Sequence, residues 1–175
     1  RLREVADSIG GLAAAIPLDV TDAGSVEAFA GRLPESLHLL VNNAGGAQGV
    51  ERIEAAVDDK WRWMWEVNVL GTMRMTRALL PRLRASGDGH VINIGSIAGF
   101  ETYVGGAGYT GAKHAERALT RTLRLELLGE PRVVTDVGRE VLVAQTEAVK
   151  PPGMIAADLP IYRVGEPRVV TWEPR

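Results

Sequence analysis

Tyr109 and Lys113 stand four residues apart in the stretch Gly108-Tyr109-Thr110-Gly111-Ala112-Lys113. Ser96 lies thirteen residues upstream of the tyrosine, at the end of the apolar run Val91-Ile92-Asn93-Ile94. Residues of these types can move a proton. On a helix, positions i and i+4 share one face about 6 Å apart, so an ammonium beside a phenol favours the phenolate through its charge. A tyrosine that ordinarily ionises near ~10 can then serve as an acid or base close to neutrality.

Such a set needs elements to hold it. A helix over Tyr109–Leu128 places Ala112, Ala115, Leu119, Leu123 and Leu127 on one stripe and Arg117, Arg121 and Arg124 on another. Ahead of it, Leu37–Val41 and Val91–Ile94 are short, nearly continuous apolar runs of the kind that bury both faces in a parallel sheet. A long helical pattern runs from Asp58 to Ala85, with Val67, Leu70, Met73 and Met75 among its apolar positions, until Ser86-Gly87-Asp88-Gly89 breaks it. Arg1 to Ile9 reads as the end of an amphipathic helix closed by Gly10-Gly11, and Ala13–Leu18 as a strand. Ser25–Leu33 reads as a helix stopped by Pro34, and Arg132–Val137 as a further strand. Strands alternating with helices at these lengths predict a doubly wound parallel α/β sheet, Rossmann-like, joined by right-handed crossovers. Ligands bind such sheets at the carboxyl ends of the strands, and Asp19, Asn42–Gly45 and Ser96 all fall just past strand ends.

Composition sets the frame. The 175 residues are 46% apolar and 24% charged, ordinary for a globular protein of about one domain. Twenty basic against 22 acidic residues give a formal charge of −2, which offers no field for nucleic acid or an anionic membrane. No cysteine is present, so disulfides, thiolate metal sites and cysteine nucleophiles are excluded, and a cytoplasmic location is the default expectation. No apolar span approaches the roughly 20 residues of a membrane helix. His90 and His114 lack metal-ligand spacing with a carboxylate, and no metal is assigned.

Taken in order, Leu18-Asp19-Val20, Asn42-Asn43-Ala44-Gly45, Asn68 within Val67-Asn68-Val69, Ser96 in Ile94-Gly95-Ser96, and Tyr109-x-x-x-Lys113 resemble the short-chain dehydrogenase/reductase family. The resemblance covers about residues 1–137. Val41–Gly45, Ile92–Ser96 and Val133-Val134-Thr135-Asp136 bring it closest to the NADP-dependent serine and 3-hydroxy-acid dehydrogenases.

That resemblance implies hydride transfer between a small hydroxy compound and a nicotinamide. Tyr109 would move the hydroxyl proton, Ser96 would hydrogen-bond the reacting oxygen, and Lys113 would lower the tyrosine pKa and hold the nicotinamide ribose. Asn68 would hold a water that relays the proton to solvent. Asp19 would accept from the adenine amine, with the Val20 amide against the ring, and Asn42, Asn43, Ala44 and Gly45 would let backbone approach the cofactor while their amides brace adjacent strands. Substrate contacts fall to Ser96 and Tyr109. The subfamily favours NADP over NAD, although no residue that selects between them is recognisable. Long helices like these often carry the oligomer contact in the family, so a dimer or tetramer through them is expected, with Trp61, Trp63 and Trp65 serving mainly as packing residues.

The chain departs from the family in several places. Its opening at Arg1 lacks the first strand and the glycine-rich turn that would bring amides to the pyrophosphate, so a truncated start and weakened cofactor affinity are expected. Residues 1–137 are read as a partial Rossmann-like dehydrogenase domain, and residues 138–175 as an atypical segment that does not form the family's last strands. Gly129–Thr135 recurs identically as Gly165–Thr171, and Pro151-Pro152-Gly153-Met154 comes a dozen residues late for the family's Pro-Gly turn. Glu116 takes a position that is usually apolar, three residues after Lys113, where it can pair with the lysine and weaken its pull on Tyr109. Gly111 costs the catalytic helix about 1 kcal/mol of propensity relative to alanine. Two readings of another class stand beside the enzyme: a non-catalytic or binding-only relative, and an assembly subunit that docks through its long helices.

Overall fold

The computed structural model describes residues 2–127 and the backbone of residues 133–137. Helix α1 spans Leu2–Ile9, α2 Ala23–Ala30, α3 Asp58–Trp65, α4 Gly71–Ser86 and α5 Ala107–Glu126. Strands β1 (Leu39–Asn42), β2 (Gly89–Asn93) and β3 (Val133–Val137) form one sheet in the order β1-β2-β3, every pair parallel. The parallel α/β architecture is the expected one. The expectations for residues 138–175, including the second copy of the repeat and the late Pro-Pro-Gly-Met run, lie outside the described residues.

Register explains the core. Asn42 pairs with Asn93 and Leu40 with Val91, so these four side chains share one face of the sheet. Helices α4 and α5 both pack on that face. Leu79 and Leu83 of α4, Leu123 of α5 and the adjoining Leu127 enclose Leu40 and Val91, and Val26 and Ala30 of α2 extend the same cluster. Leu83 and Val91 are fully buried, the centre of the packing. On the opposite face Leu39 and Val41 remain about half exposed.

Local chemistry sets the element ends. The Asp22 carboxylate accepts from the Gly24 amide at 2.9 Å and caps α2. Gly87 ends α4 at φ 85, a left-handed conformation that suits a residue without Cβ, and its amide donates to the Arg84 carbonyl. The helical run expected over Asp58–Ala85 is present, but it contains a π turn at Glu66–Leu70 between α3 and α4. One expectation fails. Ala13–Leu18 forms no strand, because among the described residues no neighbouring strand offers it a ladder; instead Ala13–Ile16 line an apolar hollow of about 500 Å³ with α1 and α2.

Gly111 lies on the exposed side of α5, and a Cβ built there would meet no atom within 4 Å. Replacing it with alanine is therefore expected to raise stability by about 1 kcal/mol, read as a higher urea midpoint at unchanged slope.

Candidate functional site

β1 and β2 are parallel neighbours, so the residues that follow them emerge on one edge of the sheet. Asn43–Gly45 leave β1 there, and Ile94–Ser96 leave β2. The Ile94 amide extends the ladder by one bond to the Asn42 carbonyl at 2.9 Å. Beneath this edge runs a buried chain of polar side chains. Asn42 Nδ2 donates to Asn93 Oδ1 at 2.8 Å and to the Thr76 hydroxyl at 3.2 Å, and Asn93 Nδ2 donates to the Thr120 hydroxyl at 2.8 Å. One amide thus ties both strands to α4, and the other ties β2 to α5. Interior amides demand such partners, since an unpaired one costs about 1–3 kcal/mol.

Ser96 ends the β2 extension. Its hydroxyl accepts from the Ala98 amide at 3.2 Å and caps a 3-10 turn over Ile97–Gly99. That turn lies against α5, where a Cβ on Gly99 would stand 3.0 Å from the Lys113 carbonyl. Arg117 fastens it further, with its guanidinium 3.8 Å from the Phe100 ring centroid. Ser96 is thereby held beside the helix that carries Tyr109 and Lys113.

Lys113 is 6% exposed, and among the described residues its ammonium has two acceptors: the Ile94 carbonyl at 3.1 Å and Glu116 Oε2 at 2.6 Å. It stands 6.0 Å from the centroid of the half-buried Tyr109 ring. An ammonium has three protons, so one remains for a ligand beyond these two bonds. Glu116 is 2% exposed; burial pushes its carboxyl above the usual range, against the opposing pull of the Lys113 charge and the Thr72 hydroxyl. The Thr72 hydroxyl in turn donates to the Asn68 carbonyl at 3.0 Å.

Asn68 sits in the π turn with its side chain fully buried. Its Nδ2 donates to the carbonyls of Met64 at 2.7 Å and Gly46 at 2.9 Å, while its Oδ1 accepts from the Gly46 amide at 3.1 Å. The side chain therefore clamps the loop after β1. Gly45 is the close-approach residue, since a Cβ there would lie 2.6 Å from Asn68 Oδ1 and 3.4 Å from Lys113 Nζ. Asn43, Ala44 and Gly45 are exposed above this clamp, so the loop offers backbone to a ligand beside the lysine. Such a cradle, with one ammonium proton to spare, fits the nicotinamide-ribose end of a dinucleotide.

Asp19 lies farther along. Its Oδ1 accepts from the Thr21 hydroxyl at 2.7 Å and the Thr21 amide at 2.9 Å, and these two bonds hold the exposed carboxyl below the usual range. Val20 is buried against Gly71, and its carbonyl accepts from Arg74 at 3.4 Å. The expected residues thus fall in two groups: Asn42–Gly45, Asn68, Ser96, Tyr109 and Lys113 gather around β1, β2 and α5, and Asp19 with Val20 flanks them against α4. Sequence reasoning missed Thr72, Thr76, Asn93 and Thr120. A signal existed in Asn68, Thr72 and Thr76, polar residues at four-residue spacing on an otherwise apolar helix face. Tyr103 was also missed; its phenol is raised by partial burial and then by Tyr109, which places it near the tyrosine. Among the described residues no three His, Cys, Asp or Glu side chains cluster as a metal site, and no helix is long and apolar enough to cross a membrane.

Comparison with known proteins gives a consistent set of likenesses. The short chain dehydrogenase family profile matches residues 1–136. An uncharacterized oxidoreductase of Mycobacterium tuberculosis (strain ATCC 25618 / H37Rv) is 50% identical over 137 residues, 78% of this chain and 53% of the relative. The NADP-dependent 3-hydroxy acid dehydrogenase YdfG of Escherichia coli (strain K12) is 38% identical over 140 residues, 78% of this chain and 56% of the relative. Among solved structures, the closed form of serine dehydrogenase complexed with NADP+ superposes with a TM-score of 0.70 at 37% identity, over 73% of this chain and 53% of that one. The chain spans about half the length of the curated relatives it matches.

The Asn68 clamp has a measurable worth. Asn68→Ala leaves the Gly46 amide and the Met64 and Gly46 carbonyls without their side-chain partner, so a loss of about 3 kcal/mol is expected in urea unfolding. Hydrogen exchange at the Gly46 amide should quicken more than at the core amides of β2. Unchanged protection at Gly46 would show that the clamp does not hold the loop.

Proposed function

The chain belongs to the short-chain dehydrogenases, and on that premise we propose that it acts as an oxidoreductase, moving a hydride between NAD(P) and a small hydroxy compound. NADP and a 3-hydroxy acid or serine-like substrate are the preferred pair, in keeping with what the names of its relatives state about themselves. The observation that carries the reading is the ammonium of Lys113 poised 6.0 Å from the Tyr109 ring while anchored on the end of β2.

The bound nicotinamide would supply the hydride acceptor. Everything else falls to side chains of the chain itself. Tyr109 takes the proton from the substrate hydroxyl as the hydride leaves carbon, and returns it in the reverse direction. Ser96 donates a hydrogen bond to the same oxygen, stabilising the charge that gathers there when the carbonyl forms or is reduced. Lys113 holds the ribose with its remaining proton and offers positive charge to the phenolate. Exposed backbone at Asn43–Gly45 approaches the cofactor, with Asn68 fixing its position from below. Asp19 and Val20 take the adenine end.

Titrating the chain with NADPH and following nicotinamide fluorescence is expected to give saturable binding. With NADP and a set of 3-hydroxy acids, Tyr109→Phe is expected to lower kcat at least ~100-fold while NADPH binding persists. Full activity in Tyr109→Phe would overturn the assignment of the tyrosine. The absence of any saturable NADPH binding would favour a non-catalytic chain, in which the same residues persist without a bound dinucleotide, over the enzyme.

A further inference from the structure

Glu116 is a buried carboxyl that the proposed reaction does not use. It sits on α5 three residues beyond Lys113, 2% exposed, with its Oε2 at 2.6 Å from the lysine ammonium. Burying a carboxylate is costly, and an apolar residue of similar size would fill the space without that cost. Its placement has a chemical consequence, because the charge it offsets is the one that faces Tyr109. Resting on the proposed function, we infer that Glu116 is a positioning residue that sets how much of the Lys113 charge reaches Tyr109, and through it the pH at which the phenol gives up its proton.

The surroundings let Glu116 exist in both protonation states. As a carboxylate it accepts from Lys113 and is reached by the Thr72 hydroxyl. As a neutral acid it can donate to Thr72 Oγ1 while the threonine proton turns to the Asn68 carbonyl. Burial raises its proton affinity, which brings the neutral form closer to working pH. With Glu116 ionised, the pair is neutral and the phenolate gains little from the lysine. With Glu116 protonated, the lysine charge acts on Tyr109 unopposed. Among the described residues Lys113 and the Thr72 hydroxyl reach the carboxyl, and the Thr120 hydroxyl donates to the Glu116 backbone carbonyl at 2.8 Å. The charges nearest along the π turn and α4, Glu66 and Arg74, pair with each other at 3.2 Å.

The test reads the phenol directly and needs no cofactor. The chain has three tyrosines, so 13Cζ-tyrosine labelling with Tyr109→Phe as the assignment control gives the Tyr109 titration by NMR. In Glu116→Gln the lysine keeps the Ile94 carbonyl and gains an amide oxygen as acceptor. The Tyr109 midpoint is expected to move down by about one pH unit. In a Lys113→Met background the same substitution is expected to move it little, because a buried Glu116 without its cation takes up a proton. Glu116→Leu, apolar and near in volume, carries the same expectation should the glutamine variant not fold. A midpoint that stays or rises in both variants would overturn the inference, as would an equal downward shift in the Lys113→Met background. Since the readout is ionisation rather than turnover, its failure is distinguishable from a failure of the dehydrogenase reading, which the NADPH titration and Tyr109→Phe kinetics decide separately.

Discussion

The ammonium of Lys113 is the point on which the site depends. It is tied to the Ile94 carbonyl at the end of β2, so the distance from sheet to α5 is fixed by a hydrogen bond at 3.1 Å. A Cβ on Gly45 would come within 3.4 Å of the same nitrogen, so the loop after β1 is measured against it too. Two strand ends and one helix therefore converge on a single charged atom. A buried charge needs such company. Its partners make it a structural pin as well as a source of positive potential, and the two roles cannot be separated by simply deleting the side chain.

Beneath that pin the fold is braced by amides rather than by apolar packing alone. Asn42 and Asn93 sit at opposed positions in the β1–β2 register and bridge the two strands, and each reaches a threonine on a covering helix. Apolar contacts are indifferent to small rotations, whereas these bonds are directional. They set the angle at which α4 and α5 cross the sheet edge, and hence where Tyr109 is presented. The Asn68 clamp repeats the device one layer outward, where the loop is exposed and has no sheet to hold it.

Much of this was legible in the sequence because chemistry and periodicity agreed. The Tyr109-x-x-x-Lys113 spacing, the apolar strands and the small residues at Asn42–Gly45 each report a local rule that the fold obeys. Glu116 was legible as a charge at a position usually apolar in the family, three residues from Lys113, and the ion pair expected from that spacing is present. The strand expected over Ala13–Leu18 is absent because a continuous apolar run fixes no ladder, and a ladder requires a neighbour. The polar brace escaped for another reason. Asn93 stands among isoleucines, but its partners Asn42 and Thr120 are 51 and 27 residues away, and only the fold brings them together. The π turn was hidden as well, because one surplus residue hardly disturbs a helical pattern nearly thirty residues long.

That surplus residue has a consequence for how the chain can change. An α-helix advances about 100° per residue, and the wider turn at Glu66–Leu70 absorbs one extra step between α3 and α4. Met64 ahead of it, Asn68 within it, and Met75 and Leu79 beyond it are all buried. Losing a single residue anywhere in the turn would restore a regular helix and rotate α3 by more than a quarter of a circle relative to α4. The segment can therefore exchange side chains far more readily than it can change length, and insertions or deletions in descendants of this sequence should be confined to its loops.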